Sequence, residues 1–521
     1  MSLKAAGRLT VVLAIVAGLG AAAAGSEYGG NVRVGFVLVD DEGNRGVNQP
    51  TYNLYEGLSL SLEKFRYQFD NGTRVFGTLK NLTLNNRNLY AGISRPGVYG
   101  VTVRNDQYRR TYSFEGDRFT RRRRGGAAFW VEPHRYVRLF GGIDRICRKG
   151  DLVELAAASG VPAARGIDYV QTQFNAGFRF RQGRRMAQFE YRGSDFNDDT
   201  NATNDRLSKR LRVTAAAPVP SYENVLLNVG FQHYRKEITE RQDTLTANTI
   251  WGGARFYYGE GYSLRYSFAF DRARRTGDLS ATDNISHAVY AGKVWPRQGG
   301  FSAGYRVAVN DDVRDEISTN GYSFSGWYNV LPELTVKAGY GAQSRNVEEG
   351  RTLTGDEDFS RYRGSLRYRF EYGTAQVQVE NRKTQNDDIG SSAGFIRAAS
   401  QLTLVWSRYG QLQAAYMYYD GECENAGGKF SFSEHVIDGE VLSTWYRHLQ
   451  GGIGGTYLRS RQDLDVESYS VRFTARFTFA GDHKLEVIYS AFNFDDLADP
   501  SPVYTQYYTA NVVEVNLIKE L

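Results

Sequence analysis

Between Tyr469 and Phe479 the chain alternates without a break. Tyr469, Val471, Phe473, Ala475, Phe477 and Phe479 fall on one side, and Arg472, Thr474, Arg476 and Thr478 on the other. Successive side chains of a strand point to opposite faces, so alternation of this length places two different solvents on the two faces of one sheet. The pattern recurs in Tyr362, Gly364, Leu366, Tyr368 and Phe370 against Arg361, Arg363, Ser365, Arg367 and Arg369. It recurs again in Phe174, Ala176, Phe178 and Phe180 against Asn175, Arg179 and Arg181, and in Tyr262 to Phe270. Each stretch runs about ten residues, the length that carries a tilted strand across a hydrocarbon core. Such segments predict an all-β, antiparallel, up-and-down transmembrane β-barrel.

Composition agrees with that and excludes the helical alternative. Mean hydropathy is −0.49, too polar for a bundle of membrane helices, and past the N-terminus there is no run of the roughly 18–20 apolar residues a spanning helix needs. The 36 Tyr, 29 Phe and 56 Gly beside only 3 Met and 2 Cys suit strands of which every second residue meets lipid. The 64 basic and 58 acidic residues nearly balance, and no nucleic-acid motif accompanies them.

Residues 1–24 have the pattern of an export signal. Lys4 and Arg8 supply the positive end, Leu9 to Leu19 a short apolar stretch, and Ala22-Ala23-Ala24 a small-residue cleavage site. The chain is then expected as a signal peptide, 1–24, followed by one barrel, 25–521. A single membrane anchor is the alternative, and the stretch is short for it. No Cys follows the signal, which excludes a lipoprotein.

Connections alternate between short and long. Short turns are expected at Gln182-Gly183, Tyr258 to Gly261, Trp295 to Gly299, Leu331-Pro332, Glu371 to Gly373 and Ala480 to His483. Long polar loops are expected at Gly193 to Ser208, Arg272 to Asn284, Gln343 to Ser360 and Asp420 to Lys429. Short periplasmic turns and long outer loops are the rule in bacterial barrels, and this scheme counts about 26 strands, with Asp106 to Trp130 and Phe430 to Leu449 ambiguous. The last strand descends to a periplasmic C-terminus, its stripe of Val513, Val515, Leu517 and Leu521 interrupted by Lys519. A soluble β-solenoid also alternates, but needs neither signal nor loop rhythm. The expected location is the outer membrane of a Gram-negative bacterium.

Charge on the lipid face costs ~2–4 kcal/mol at mid-membrane, so the polar face must look inward. Arg363, Arg367 and Arg369 are expected in the lumen across a hairpin from Gln376, Gln378 and Glu380. Arg179 and Arg181 are expected beside Gln188, Glu190 and Arg192, with Arg472 and Arg476 further round. Such a lumen is filled by water, by the chain's own loops or by another protein; a mutually paired, hydrated wall is the plainer alternative for any one residue.

Cys147 and Cys423 are placed by this topology in outer loops, where a disulfide across the rim and two free thiols are open alternatives. Neither lies in a C-x-x-C-H, so no c-type haem attaches to this chain in the usual way. Asn197-Asp198-Asp199, Asn310-Asp311-Asp312 and Asn386-Asp387-Asp388 offer carboxylates for a hard cation but more simply begin turns. The run Arg121 to Arg124 reads as an outer loop, able to hold anionic groups or merely solvated. The six His show no metal-ligand spacing and there is no nucleophile motif, so neither catalysis nor a bound metal is expected.

Several segments resemble the MtrB/PioB-type outer-membrane porins that accompany multihaem (decahaem) cytochromes. Leu62 to Asp106 is similar to that family's early strands, with Leu84-Asn85-Asn86-Arg87 at its "GLxNR" turn and Gly97-Val98-Tyr99 after it. Asp168-Tyr169 with Glu190 to Asp199, and Pro218 to Tyr234, resemble two further stretches. The CxxC that some members carry near the mature N-terminus is absent, as is an aromatic last residue. The resemblance implies a porin-like sheath around a periplasmic-side multihaem c-type cytochrome that touches an outer-surface cytochrome, passing electrons across the membrane (extracellular electron transfer). The barrel itself would hold no cofactor; the haems belong to the partner. A diffusion porin for solutes is the alternative. A plugged TonB-type receptor fits less well, because residues 25–165 already read as strands.

Overall fold

The computed structural model describes residues 28–521 apart from 48–50, 52, 112–117, 156–161, 241, 277–280, 312–315, 349–354, 408–409, 426, 447, 464, 480–482 and 498–506. The expected signal, 1–24, lies outside the described residues. The rest is strand after strand. The first eight are β1 (Tyr28–Gly43), β2 (Gly57–Gln68), β3 (Arg74–Lys80), β4 (Asn88–Arg95), β5 (Tyr99–Thr111), β6 (Phe119–His134), β7 (Val137–Leu155) and β8 (Pro162–Gln182). There follow β9 (Arg185–Asp198), β10 (Arg206–Val219), β11 (Tyr222–Ile238), β12 (Asp243–Tyr258), β13 (Tyr262–Arg275), β14 (Thr282–Trp295), β15 (Gly299–Asp311), β16 (Glu316–Leu331) and β17 (Leu334–Glu348). The circuit ends with β18 (Glu357–Phe370), β19 (Gly373–Asn386), β20 (Ser391–Ser407), β21 (Gly410–Asn425), β22 (Gly428–Tyr446), β23 (Leu449–Gln462), β24 (Val466–Phe479), β25 (His483–Asp496) and β26 (Tyr507–Glu520).

Each strand pairs antiparallel with its neighbours in sequence, and β26 closes on β1 from Asn31↔Glu520 to Gly43↔Tyr508. The fold is therefore a closed, 26-stranded, up-and-down barrel of outer-membrane type. Closure leaves no unpaired edge strand, so across the apolar band the ladder hydrogen bonds are met inside the wall, as a hydrocarbon surrounding requires. Among the described residues a packed interior is almost absent, and buried apolar side chains gather in two small clusters.

One face of the wall is apolar and bare. Val34, Phe36 and Leu38, then Val377 and Val379, then Phe473 and Phe477 are all exposed, each alternating with residues of the other face. At the end that bears the chain termini, Tyr222, Tyr258, Tyr328, Trp445 and Tyr446 stand out as exposed aromatics. Higher up, Tyr305 stacks on Tyr322, and Tyr340 lies against Tyr362. Two aromatic girdles bounding an apolar band are what the two interfaces of a bilayer select.

The turns at the terminus end are short throughout; the longest is 69–73. The opposite connections are shorter than the sequence reading has them. Asp420 to Lys429 is nearly all strand, with β21 and β22 separated by 426–427 alone, and Gly193 to Ser208 keeps only 199–205 outside strands. Beyond the band both faces are wet, so alternation stops while ladder pairing continues. Outward ion pairs such as Arg272–Asp283 and Lys149–Asp168 decorate these extensions. The run Arg121–Arg124 is likewise strand, in β6, and not loop.

The wall dips at β3 and β4, which hold only 7 and 8 residues. Above them the edge of β5 is met by loop groups: Gln107 N–H donates to the Arg87 carbonyl and Arg109 N–H to Asn53 Oδ1. Leu84, Leu54 and Tyr55 pack on the inner face against Val37 and Val512. The segment Leu84 to Arg87 thus plugs a notch in the rim.

Candidate functional site

The second face of the wall lines the lumen, and its chemistry is that of Arg, Gln and Glu. On β18 and β19, Arg363 stands opposite Glu380, Arg367 opposite Gln376, and Ser365 opposite Gln378, while Arg369 faces Thr374. Glu380 is buried; Arg361 Nε donates to it at 2.6 Å and Arg363 Nε at 3.3 Å. On β8 and β9, Arg179 Nε donates to Gln188 Oε1 at 3.0 Å, and Glu190 is held by Arg192. Arg181 lies opposite Met186 near the short turn. On β24, Arg476 pairs with buried Glu486, and Arg472 donates to Glu440 at 2.8 Å. By register these residues share the face opposite the exposed apolar stripe.

Sequence reasoning missed the contacts that skip a strand. Arg104 of β5 is bidentate on Asp144 of β7, reaching over Gly126 of β6, where a Cβ would overlap the Asp144 carboxylate. Arg33 of β1 reaches Glu486 of β25 at 3.2 Å across β26. A signal for these existed: a Gly set in phase with polar residues on a middle strand lets long side chains meet across it. At the rim, Arg45 donates to Asp41 at 2.6 Å, which pushes its guanidinium pKa above the usual arginine value.

The two thiols do not meet. Both are free, Cys147 on β7 and Cys423 on β21, and neither sits in a loop. Their strands lie far apart around the wall, whereas a disulfide needs Cα atoms within about 7 Å. Two of the Asn-Asp-Asp tripeptides hold turns, Asp198 accepting from the N–H groups of Thr200 and Asn201 and Asn386 Oδ1 from Ile389 N–H, while Asn310 and Asp311 end β15. Asp312, in the third of them, lies outside the described residues.

Twenty-six strands spaced roughly 4.8 Å apart and tilted near 40° enclose on the order of 50 Å from wall to wall. That leaves room for a folded domain about 30 Å across. Described residues from 28 onward are wall or short connection, and none forms a globular plug.

No known protein-family signature matches the chain, and no curated protein matches it. Solved structures resemble it only distantly. The siderophore receptor PirA from Pseudomonas aeruginosa has 10% identity and a TM-score of 0.49, over 77% of this chain and 76% of that one. The FrpB iron transporter from Neisseria meningitidis has 12% identity and a TM-score of 0.49, over 95% and 81%. The ferric-catecholate import receptor Fiu from E. coli K12 has 9% identity and a TM-score of 0.49, over 95% and 82%.

Proposed function

We propose that this barrel is a sheath in the outer membrane of a Gram-negative bacterium, holding a multihaem c-type cytochrome in its lumen so that electrons cross. The observation that carries the reading is a protein-sized lumen lined by polar and charged side chains on all sides. A soluble cytochrome presents a polar surface, so such a wall receives it without exposing apolar groups to water. Insulation comes from the apolar outer band and position from the lumen wall; the redox chemistry belongs to the haems of the guest. On this reading the short turns face the periplasm and the guest enters from that side, to meet an outer-surface cytochrome at the far rim. The resemblance of Leu62 to Asp106 to the cytochrome-associated porins supports it, since Leu84 and Arg87 there have a definite task at the rim notch.

A diffusion porin is the second reading, favoured by the same width and hydration. The test is a mild-detergent pull-down of the tagged protein from outer membranes, followed by a visible spectrum and a haem-stained gel. A Soret band with a stoichiometric haem polypeptide is expected. A colourless barrel, from cells shown to make multihaem cytochromes, contradicts the sheath and favours the porin.

A further inference from the structure

The lumen wall is not evenly charged. From β6 to β13 the register sets arginines directly opposite arginines on the inner face: Arg122↔Arg148, Arg138↔Arg179, Arg192↔Arg210 and Arg255↔Arg265. Like charges in register repel and destabilise a strand pair. Acids on this arc are outnumbered by arginines and are taken: Glu132 by Arg138, Asp144 by Arg104, Glu190 by Arg192 and Asp243 by Arg275. The side chains of Arg122 and Arg210 make no hydrogen bond or ion pair among the described residues. Beside Arg210 a recess of about 660 Å³ opens on the lumen, lined by Arg124, Arg192 and Arg210 with Asp144, Gln173 and Gln232. The Nε of Arg124 is buried there without a hydrogen-bond partner.

On the other side of the lumen the balance differs. Arg472 is matched by Glu440, and Arg476 and Arg33 by Glu486. Glu514 lies on that inner face opposite Ile488. That wall neutralises itself, whereas the β6–β13 wall keeps more guanidinium than carboxylate, and so presents a net positive field and forked donors suited to carboxylates.

We infer that the β6–β13 arc is a docking face for carboxylates on the acidic surface of the protein guest, and that it fixes how the guest is turned within the lumen. This rests on the sheath reading. The repulsion between the paired arginines is relieved when carboxylates stand between them, so part of the guest's binding free energy is relief of a strain carried by the empty barrel. Opposite the arc, the self-neutralised wall gives an acidic surface no comparable partner, and rotation of the guest is thereby disfavoured.

The experiment compares wild type, the triple variant Arg122→Gln, Arg192→Gln, Arg210→Gln, and a charge-matched control, Arg235→Gln, Arg272→Gln and Arg274→Gln, whose side chains lie on the outward face. Two readings are taken. Immobilised barrel with its bound haem protein is washed with rising KCl, and the guest-free barrel is placed in a planar bilayer across a KCl gradient to give a reversal potential. The triple variant is expected to release the haem protein at lower KCl than wild type and control. Guest-free wild type is expected to pass chloride in preference to potassium, with the preference shifted toward potassium in the triple variant. Unchanged release overturns the inference, as does a non-selective wild-type pore. Wild type without any haem protein defeats the sheath reading; chloride preference alongside that result assigns the arc to small anions and overturns the protein-guest inference separately.

Discussion

Gly126 has no side chain, and for that reason Arg104 and Asp144 meet across β6. Gly126→Val is expected to force the pair apart and to cost about 1–3 kcal/mol through overpacking. Denaturant unfolding in micelles, with loss of heat-modifiable gel mobility, measures it; an unchanged midpoint contradicts the assignment. Glu486 is the converse case, a buried carboxylate between Arg476 and Arg33. Glu486→Gln is expected to cost about 2–4 kcal/mol, somewhat below the range for a fully buried pair because both guanidiniums keep contact with water. At this scale the polar face was readable wherever polar residues alternate with apolar ones, as at Arg363 and Glu380, which stand opposite each other. The strand-skipping pairs were hidden, since a contact such as Arg33–Glu486 links positions far apart in the chain that only closure of the barrel brings together.

The element is where sequence spoke most clearly, and where it stopped is instructive. Inside the apolar band the two faces of a strand meet different solvents, so β8, β13, β18 and β24 can be read residue by residue. Above the band that difference vanishes, and the upper parts of β21 and β22 look like loop although their ladder continues from Cys423↔Phe430 to Asn425↔Gly428. Four consecutive arginines, Arg121–Arg124, carry no period at all, so sequence alone had no means of placing them on β6. The alternation itself is testable on β19. Val379→Arg sets a charge on the lipid face and is expected to cost about 2–4 kcal/mol, whereas Gln378→Arg, one residue away on the lumen face, is expected to be nearly neutral. Equal costs in folding into vesicles contradict the assigned faces. Free thiols on β7 and β21 predict two titratable cysteines and unchanged mobility on a non-reducing gel; one titratable thiol or none contradicts that placement.

For the molecule as a whole, closure explains why so large a chain has almost no core. Its strands satisfy one another's backbone, lipid covers the outside, and water or a guest covers the inside. The strand number and the antiparallel order followed from counting alternating segments between turns, but the uneven charge of the lumen became visible only once register had set Arg192 opposite Arg210. The identity of the occupant is chemistry the barrel supplies only in complement: wide, polar, and basic on one side. The most direct test is electron flux through proteoliposomes that contain the barrel and its co-purified haem protein, with a reduced dye coupled to a polymer too large for the lumen trapped inside and an oxidant carried on particles too large for it outside. The account predicts that the dye is oxidised only when both proteins are present, at a rate insensitive to size exclusion of small solutes. Oxidation with the barrel alone, or none with the pair, would contradict it.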